Sequence, residues 1–267
     1  MRARVGKEAA ADGVEPNVER ALNDLSLAST PPARIAAIAG LVPPCRGVCE
    51  VGYDRGLILW TLLHARPDVH AIGVEIQPES ATSTPIPPPL AGRVELRTGD
   101  GLAPMAPGEV DGVILAGLGG RTIARILESR PDVVAPLEFI VTCPSHLEAD
   151  LRPALRRLGF GIADERIVFD RGRFYEIVLA RPLASEPLAH DSVDLTTCDD
   201  VAAAWGPLLL ARDPLMAAYL DDQERRFHAA FACKLASYRD GAKAALGQKL
   251  VLLAAARERL GARPPLG

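Results

Sequence analysis

The sequence predicts an α/β fold: a parallel sheet with helical crossovers, closed by an antiparallel hairpin and followed by a helical hairpin. Three observations predict it. From Gly47 onward, short runs of β-branched and aliphatic residues alternate with helix-patterned segments, as in a parallel sheet with right-handed crossovers. Two later runs, Ile162–Phe169 and Phe174–Ala180, flank the turn cluster Asp170-Arg171-Gly172-Arg173, which predicts antiparallel pairing. Near the C-terminus, apolar residues recur at helical spacing on both sides of Asp240-Gly241.

The length of 267 residues suits one α/β core with a small appendage. Hydrophobic residues make up 48% and charged residues 24%, enough to build a core without covalent staples. A net charge of −4 excludes a global basic field, yet the 30 basic residues, nearly all Arg, leave room for a local patch. Five cysteines form no CxxC pair, and Cys45 and Cys49 have no second pair at zinc spacing, so free thiols and no metal are expected. No apolar run has the length of a membrane span and Met1–Thr30 has no apolar leader segment. A soluble cytoplasmic protein without a membrane partner is expected. A monomer or a weak dimer fits equally well.

Three regions follow. Residues 1–31 read as a weakly ordered extension with a weak helix around Val18–Leu27. Residues 32–182 form the sheet domain. Pro31 and Pro32 open a helix over Ala33–Leu41, with Ile35, Ile38 and Leu41 on one face. Strands are predicted at Gly47–Gly52, Val69–Ile76, Val94–Thr98, Val110–Ala116 and Phe139–Cys143, and helices at Gly56–Ala65, Thr122–Ser129 and Leu147–Leu158. With the hairpin, the sheet has seven strands. Thr84–Leu90, "TPIPPPL", predicts an extended loop, because proline lacks the donor a helix interior needs. Residues 183–267 read as a linker, Leu183–Asp200, then two helices broken at Asp240-Gly241. Pro214–Tyr238 carries Leu220, Phe227, Phe231, Leu235 and Tyr238 at helical spacing; Ala242–Leu260 carries Leu246, Leu250, Leu253, Ala256 and Leu260. This coiled-coil-like hairpin reads as a packing appendage.

Four motifs sit at predicted strand ends. In Glu50-Val51-Gly52-Tyr53-Asp54-Arg55-Gly56 an acidic strand end meets a glycine turn and a helix N-terminus. The G-x-x-x-G spacing lacks the third glycine of a dinucleotide fingerprint, and the acid suits a cationic ligand such as S-adenosylmethionine (SAM). Glu75, ending the second strand, is placed to accept ribose hydroxyls. Gly99-Asp100-Gly101 puts a carboxylate between two glycines, where it can face an adenine amino group. Val110–Gly120, "VDGVILAGLGG", brings a buried strand into Gly117, Gly119 and Gly120 at the sheet edge where open α/β sheets bind ligands.

The order of these motifs resembles the TrmK family, bacterial tRNA (adenine-22-N1) methyltransferases, from Pro32 to the C-terminus. The family's "DIGSDHAYLP" corresponds to "EVGYDRGLIL" at Glu50–Leu59, "GDGL" is intact at Gly99–Leu102, and "AGMGG..I..IL" is nearly intact at Ala116–Leu127. Its "QPN" followed by Arg corresponds to Cys143-Pro144-Ser145 with Arg152, its "YE" to Tyr175-Glu176, and its leading-helix Arg to Arg34. A family "GP" before the terminal helices matches Gly206-Pro207.

The resemblance implies a class I SAM-methyltransferase Rossmann-like sheet with a C-terminal helical domain, SAM as cofactor and tRNA as partner. It implies cofactor binding by Glu50, Gly52, Glu75, Ile76, Gly99, Asp100, Gly101 and Gly117. Asp54, Pro144 and Ser145 would serve at the target base, and Arg55, Arg121, Arg125, Arg171 and Arg173 are candidates for phosphate contacts. Departures cluster on the base side: Arg55 stands where the family has His, Ser145 where it has Asn, and Leu57-Ile58-Leu59 where it has Tyr-Leu-Pro. A class I methyltransferase acting on another RNA or a small molecule, and a catalytically silent SAM- or RNA-binding relative, remain alternatives.

Overall fold

The computed structural model describes residues 30–79, 84–146, 151–183, 193–195, 197–234 and 240–261. The helix predicted around Val18–Leu27 lies outside the described residues. One seven-stranded sheet has the order β3-β2-β1-β4-β5-β7-β6. Its strands are β1 Gly47–Val51, β2 His70–Glu75, β3 Val94–Thr98, β4 Gly112–Ala116, β5 Phe139–Cys143, β6 Phe160–Asp170 and β7 Arg173–Pro182. The first five run parallel; β7 is antiparallel to both β5 and β6. β4 and β5 are buried throughout, as their unbroken apolar runs require of parallel strands covered on both faces.

The helices are α1 Ala33–Leu41, α2 Leu57–Ala65, α3 Gly120–Ser129, the single turn α4 Pro131–Val134, and α5 Leu151–Arg157. Ile35, Ile38 and Leu41 of α1 are buried, so the predicted stripe is the packed face. One end and two starts differ from the sequence reading for local reasons. β1 stops at Val51 and α2 begins at Leu57, because Gly52 and Gly56 are left-handed (φ 74° and 70°). β4 begins at Gly112, since the Asp111 carboxylate instead accepts from the backbone N–H groups of Arg46 (2.6 Å) and Gly47 (3.1 Å). Thr84–Leu90 is not extended throughout. Pro88–Leu90 forms a 3₁₀ turn, with proline at the first positions, where a missing N–H costs nothing.

β6 and β7 meet in a two-residue turn whose residues, Arg171 (φ 48°) and Gly172 (φ 78°), are both left-handed, the geometry that matches strand twist. Because Thr142 of β5 pairs with Val178 of β7, the tip of this hairpin projects past the C-terminal ends of the parallel strands.

The C-terminal part contains more than the two helices the sequence predicts. Two short helices precede them: α6 Asp200–Trp205 and α7 Pro207–Arg212. The predicted linker is partly docked: Val193 bridges to Ile162 and Leu195 is buried in the main core. The long helices are α8 Met216–Lys234 and α9 Asp240–Gly261. Asp240 and Gly241 thus open the second helix rather than breaking the first, and an acidic residue suits the positive end of a helix. Arg257 of α9 bonds Asp221 (2.5 Å) and Glu224 (2.7 Å) of α8. Lys249 lies over the Phe227 ring (5.7 Å). These pairs make the two helices an antiparallel hairpin. Leu220, Leu253 and Ala256 are buried with Ile167, Trp205 and Tyr219, which seats the helices on the β6–β7 hairpin. The side chains of Phe231, Leu235 and Tyr238 lie outside the described residues. Among the described residues no helix is long and apolar enough to cross a membrane.

A buried ion cluster joins these layers. Arg152 of α5 bonds Glu165 of β6 (2.8 Å from Nε) and Glu176 of β7 (2.7 Å from Nη2). Tyr219 of α8 donates its hydroxyl to Glu176 (2.7 Å), and the Leu208 N–H of α7 donates to Glu165 (3.0 Å). Burial pushes the Glu165 carboxyl up and Arg152 opposes that shift. Burial works against the charge on Arg152, but the two carboxylates outweigh it and raise its pKa.

Candidate active site

Strand order reverses between β1 and β4, so the crevice at their C-terminal ends is where an open α/β sheet places a ligand. The β1–α2 loop shapes one wall. Gly52, Asp54 and Gly56 all adopt positive φ (74°, 49° and 70°). At Asp54 this conformation costs an L-residue about 1 kcal/mol, and such strain is concentrated at functional sites. The loop is held by Gly52 N–H to the Val74 carbonyl (2.8 Å), Gly56 N–H to the Tyr53 carbonyl (2.7 Å), and the Thr84 hydroxyl to the Asp54 carbonyl (3.1 Å). The Asp54 side chain is 85% exposed and lies 3.8 Å from Arg55.

Glu50 is buried near the end of β1, and its Oε2 has no hydrogen-bond partner among the described residues. Burial pushes its carboxyl well above the usual range; the Leu59 N–H in the first turn of α2 pulls it down, Asp54 adds to the rise, and Arg34 opposes it. Beside it on the sheet stand Gly73 and Ile114, which offer no polar side chain. A buried anion with a spare acceptor oxygen is costly, and a cationic or hydrogen-bond-donating ligand relieves that cost.

Glu75, half-buried at the end of β2, accepts the Ile76 N–H (2.8 Å). Tyr53 lies flat on β2, where a Cβ at Gly73 would meet its ring at 2.7 Å. Burial and the Glu75 charge raise the Tyr53 hydroxyl. Tyr53 was not among the predicted site residues. The signal was Gly73 inside an otherwise β-branched strand, a mark of close approach.

The β4 and β5 ends are knitted together. Gly117 (φ 77°) donates to the Cys143 carbonyl (3.0 Å), Ser145 N–H to Leu118 (2.8 Å), and Gly120 N–H to His146 (2.8 Å). Pro144 is buried, and the Ser145 hydroxyl meets His146 Nδ1 at 2.8 Å. His146, which packs over Gly119, also escaped the sequence reading.

A cavity of about 320 Å³ opens here, bordered by Arg34, Glu50, Gly52, Asp54, Glu75 and Gly117 among others, a size that suits a small-molecule site. Five of the predicted residues therefore share one space. Ile76, Gly99, Asp100 and Gly101 do not line it. Ile76 is exposed, Gly99 donates its N–H to the Glu75 carbonyl (2.9 Å), Asp100 is exposed and 3.8 Å from Arg125, and Gly101 packs against Ile126. Pro144 and Ser145 stand behind Leu118, off the cavity lining. The donor set fits SAM. It offers a buried acceptor oxygen without a partner, a second carboxylate at the next strand end, and left-handed glycines that let a ligand approach the backbone.

The comparisons agree with this geometry. A family model described as "Methyltransferase domain" matches residues 32–178. The tRNA (adenine(22)-N(1))-methyltransferase of Bacillus subtilis is 26% identical over 178 residues, covering 66% of this chain and 73% of the relative. The crystal structure of B. subtilis TrmK, described as an m1A22 tRNA methyltransferase, superposes with a TM-score of 0.68 at 20% identity, covering 84% of this chain and 97% of that one. M. capricolum TrmK, solved with S-adenosyl-homocysteine, superposes with a TM-score of 0.63 at 13% identity, covering 85% and 97%. With that family model spanning more than half its length, the chain belongs to the methyltransferase domain family.

Proposed function

We propose that this chain is a SAM-dependent methyltransferase that modifies N1 of an adenine in tRNA, acting in the cytoplasm. The observation that carries the reading is Glu50, a buried carboxylate with a spare oxygen, on the wall of the cavity that Glu75, Gly52 and Gly117 also border. The B. subtilis relative supports the choice of substrate.

When bound, SAM supplies an electrophilic methyl group on a sulfonium. Glu50 and Glu75 would hold the donor through its cationic and hydroxyl groups, and the bare backbone at Gly52 and Gly117 would admit it closely. Ile76 and the Gly99-Asp100-Gly101 turn, beside Glu75 but outside the cavity lining, would border its nucleoside end. Adenine N1 carries a lone pair at neutral pH, so no base has to remove a proton from it; the protein's task is alignment. Asp54, exposed at the mouth, accepts from the exocyclic amino group and stabilises the positive charge that develops on the ring. Pro144 and Ser145, off the cavity lining, would meet the base only at its outer edge. N1 lies on the Watson–Crick edge, so the base must leave its pair first.

Calorimetric titration with SAM tests the first half: absence of heat overturns it. Mass spectrometry of tRNA from cells with and without the protein tests the second, which an unchanged N1-methyladenosine content overturns. Asp54→Asn is expected to lower kcat by about 100-fold with SAM affinity within about twofold of wild type, read by single-turnover methylation alongside titration.

A second reading, another RNA as substrate, draws on Arg55, 3.8 Å from Asp54, and on the Ser145–His146 pair, both where the family pattern differs. Efficient methylation of unmodified tRNA at adenine N1 overturns it.

A further inference from the structure

We propose that Arg34, Tyr175 and Arg173 form a seat for the RNA phosphodiester backbone beside the target base; this rests on the RNA reading above. The guanidinium carbons of Arg34 and Arg173 lie 4.8 Å and 5.7 Å from the Tyr175 ring centre, within cation–π range. Stacking on a ring fixes a guanidinium while its N–H edge stays available, the pre-organised form that phosphate recognition uses.

The surroundings set these two arginines apart from others near the strand ends. Arg55 lies near Asp54 and Arg125 near Asp100. Among the described residues, neither Arg34 nor Arg173 forms an ion pair with a carboxylate; Arg34 acts only at longer range, on the buried Glu50, and Arg173 is exposed. The position also fits. Arg34 borders the cavity that holds Glu50 and Asp54, so the stack begins where the cavity ends. Tyr175 and Arg173 are two apart on β7 and share a face; α1 packs against that strand. The opposite face, with Phe174 and Glu176, is taken by α8 through Tyr219. The hairpin tip thus projects beyond the sheet with one face seated on helices and the other carrying exposed Arg173 toward the cavity mouth. A base turned into the cavity leaves its own phosphates within reach of such a rim, and an aromatic ring beside arginines is a surface that unpaired nucleotides favour.

The test compares Arg173→Ala, an exposed substitution, with wild type on unmodified tRNA transcript. The expected result is a rise of about tenfold in KM for tRNA and a salt slope of binding reduced by about one, with kcat and SAM affinity unchanged. Tyr175→Phe keeps the ring and is expected to behave as wild type; Tyr175→Leu is expected to raise KM as Arg173→Ala does. If wild type methylates tRNA while Arg173→Ala retains its KM and salt slope, the seat is overturned and the activity stands. If wild type binds SAM but no tRNA, both the seat and the RNA reading fall.

Discussion

Glu50→Gln is expected to weaken SAM binding by about 10- to 100-fold and, at the same time, to raise the melting temperature of the ligand-free protein at neutral pH. The first effect follows from the loss of a charge-assisted hydrogen bond, worth about 1.5–3 kcal/mol. The second follows from burial. The Glu50 carboxyl is pushed up because its charged form has left water, and its Oε2 finds no partner among the described residues. A carboxyl raised in the folded state stabilises the fold fully below its unfolded pKa, and that contribution is lost as pH rises through the folded value. As pH rises above the unfolded value, the ligand-free enzyme therefore bears a growing cost from a carboxyl that burial keeps from ionising freely, and the neutral amide removes that cost. Scanning calorimetry from pH 5 to 8 checks this. The gain for Glu50→Gln should grow with pH, and SAM should no longer lift the transition. An amide variant that is less stable than wild type throughout this range would mean that the carboxylate is a structural partner rather than a ligand acceptor.

Arg152→Leu is expected to cost about 3–5 kcal/mol of stability at neutral pH, because it strands Glu165 and Glu176 in the interior. Without the guanidinium the Glu165 carboxyl, already raised by burial, rises further. By the same linkage, its contribution is present at low pH and lost as pH rises through its folded value, so the penalty should be smaller at pH 5 than at pH 8. Urea titration at both pH values measures it as a lower midpoint. The helices α6 to α8 should loosen first, since Tyr219 and Leu208 hold on to the same two carboxylates; a change in the slope of the titration would report that partial opening. An equal loss at the two pH values would show that packing, not charge, accounts for it.

Arg152 and Glu176 also mark a limit of sequence reasoning. Both belonged to motifs noticed through the resemblance, "QPN" followed by Arg and "YE". Nothing local said that they would meet, being 24 residues apart on different elements. Their partners Glu165 and Tyr219 carried no motif at all. The same applies to Tyr53, whose place on Gly73 depends on how β1 and β2 pair, and to α6 and α7, six residues each, too short for a periodic stripe to emerge.

By itself, the sequence determined the order and type of the strands and longer helices, the hairpin turn, and the glycine-and-acid motifs at strand ends. These are properties of a chain segment: apolar period, the φ a glycine allows, and the donor a proline lacks. Which of those ends share a cavity was decided only in three dimensions. Glu50, Glu75 and Asp100 look equivalent along the chain, yet two border the cavity and the third faces solvent near Arg125. Burial, and with it the raised pKa of Glu50 and the stacking of Arg34 on Tyr175, depends on neighbours distant in sequence that only packing brings together.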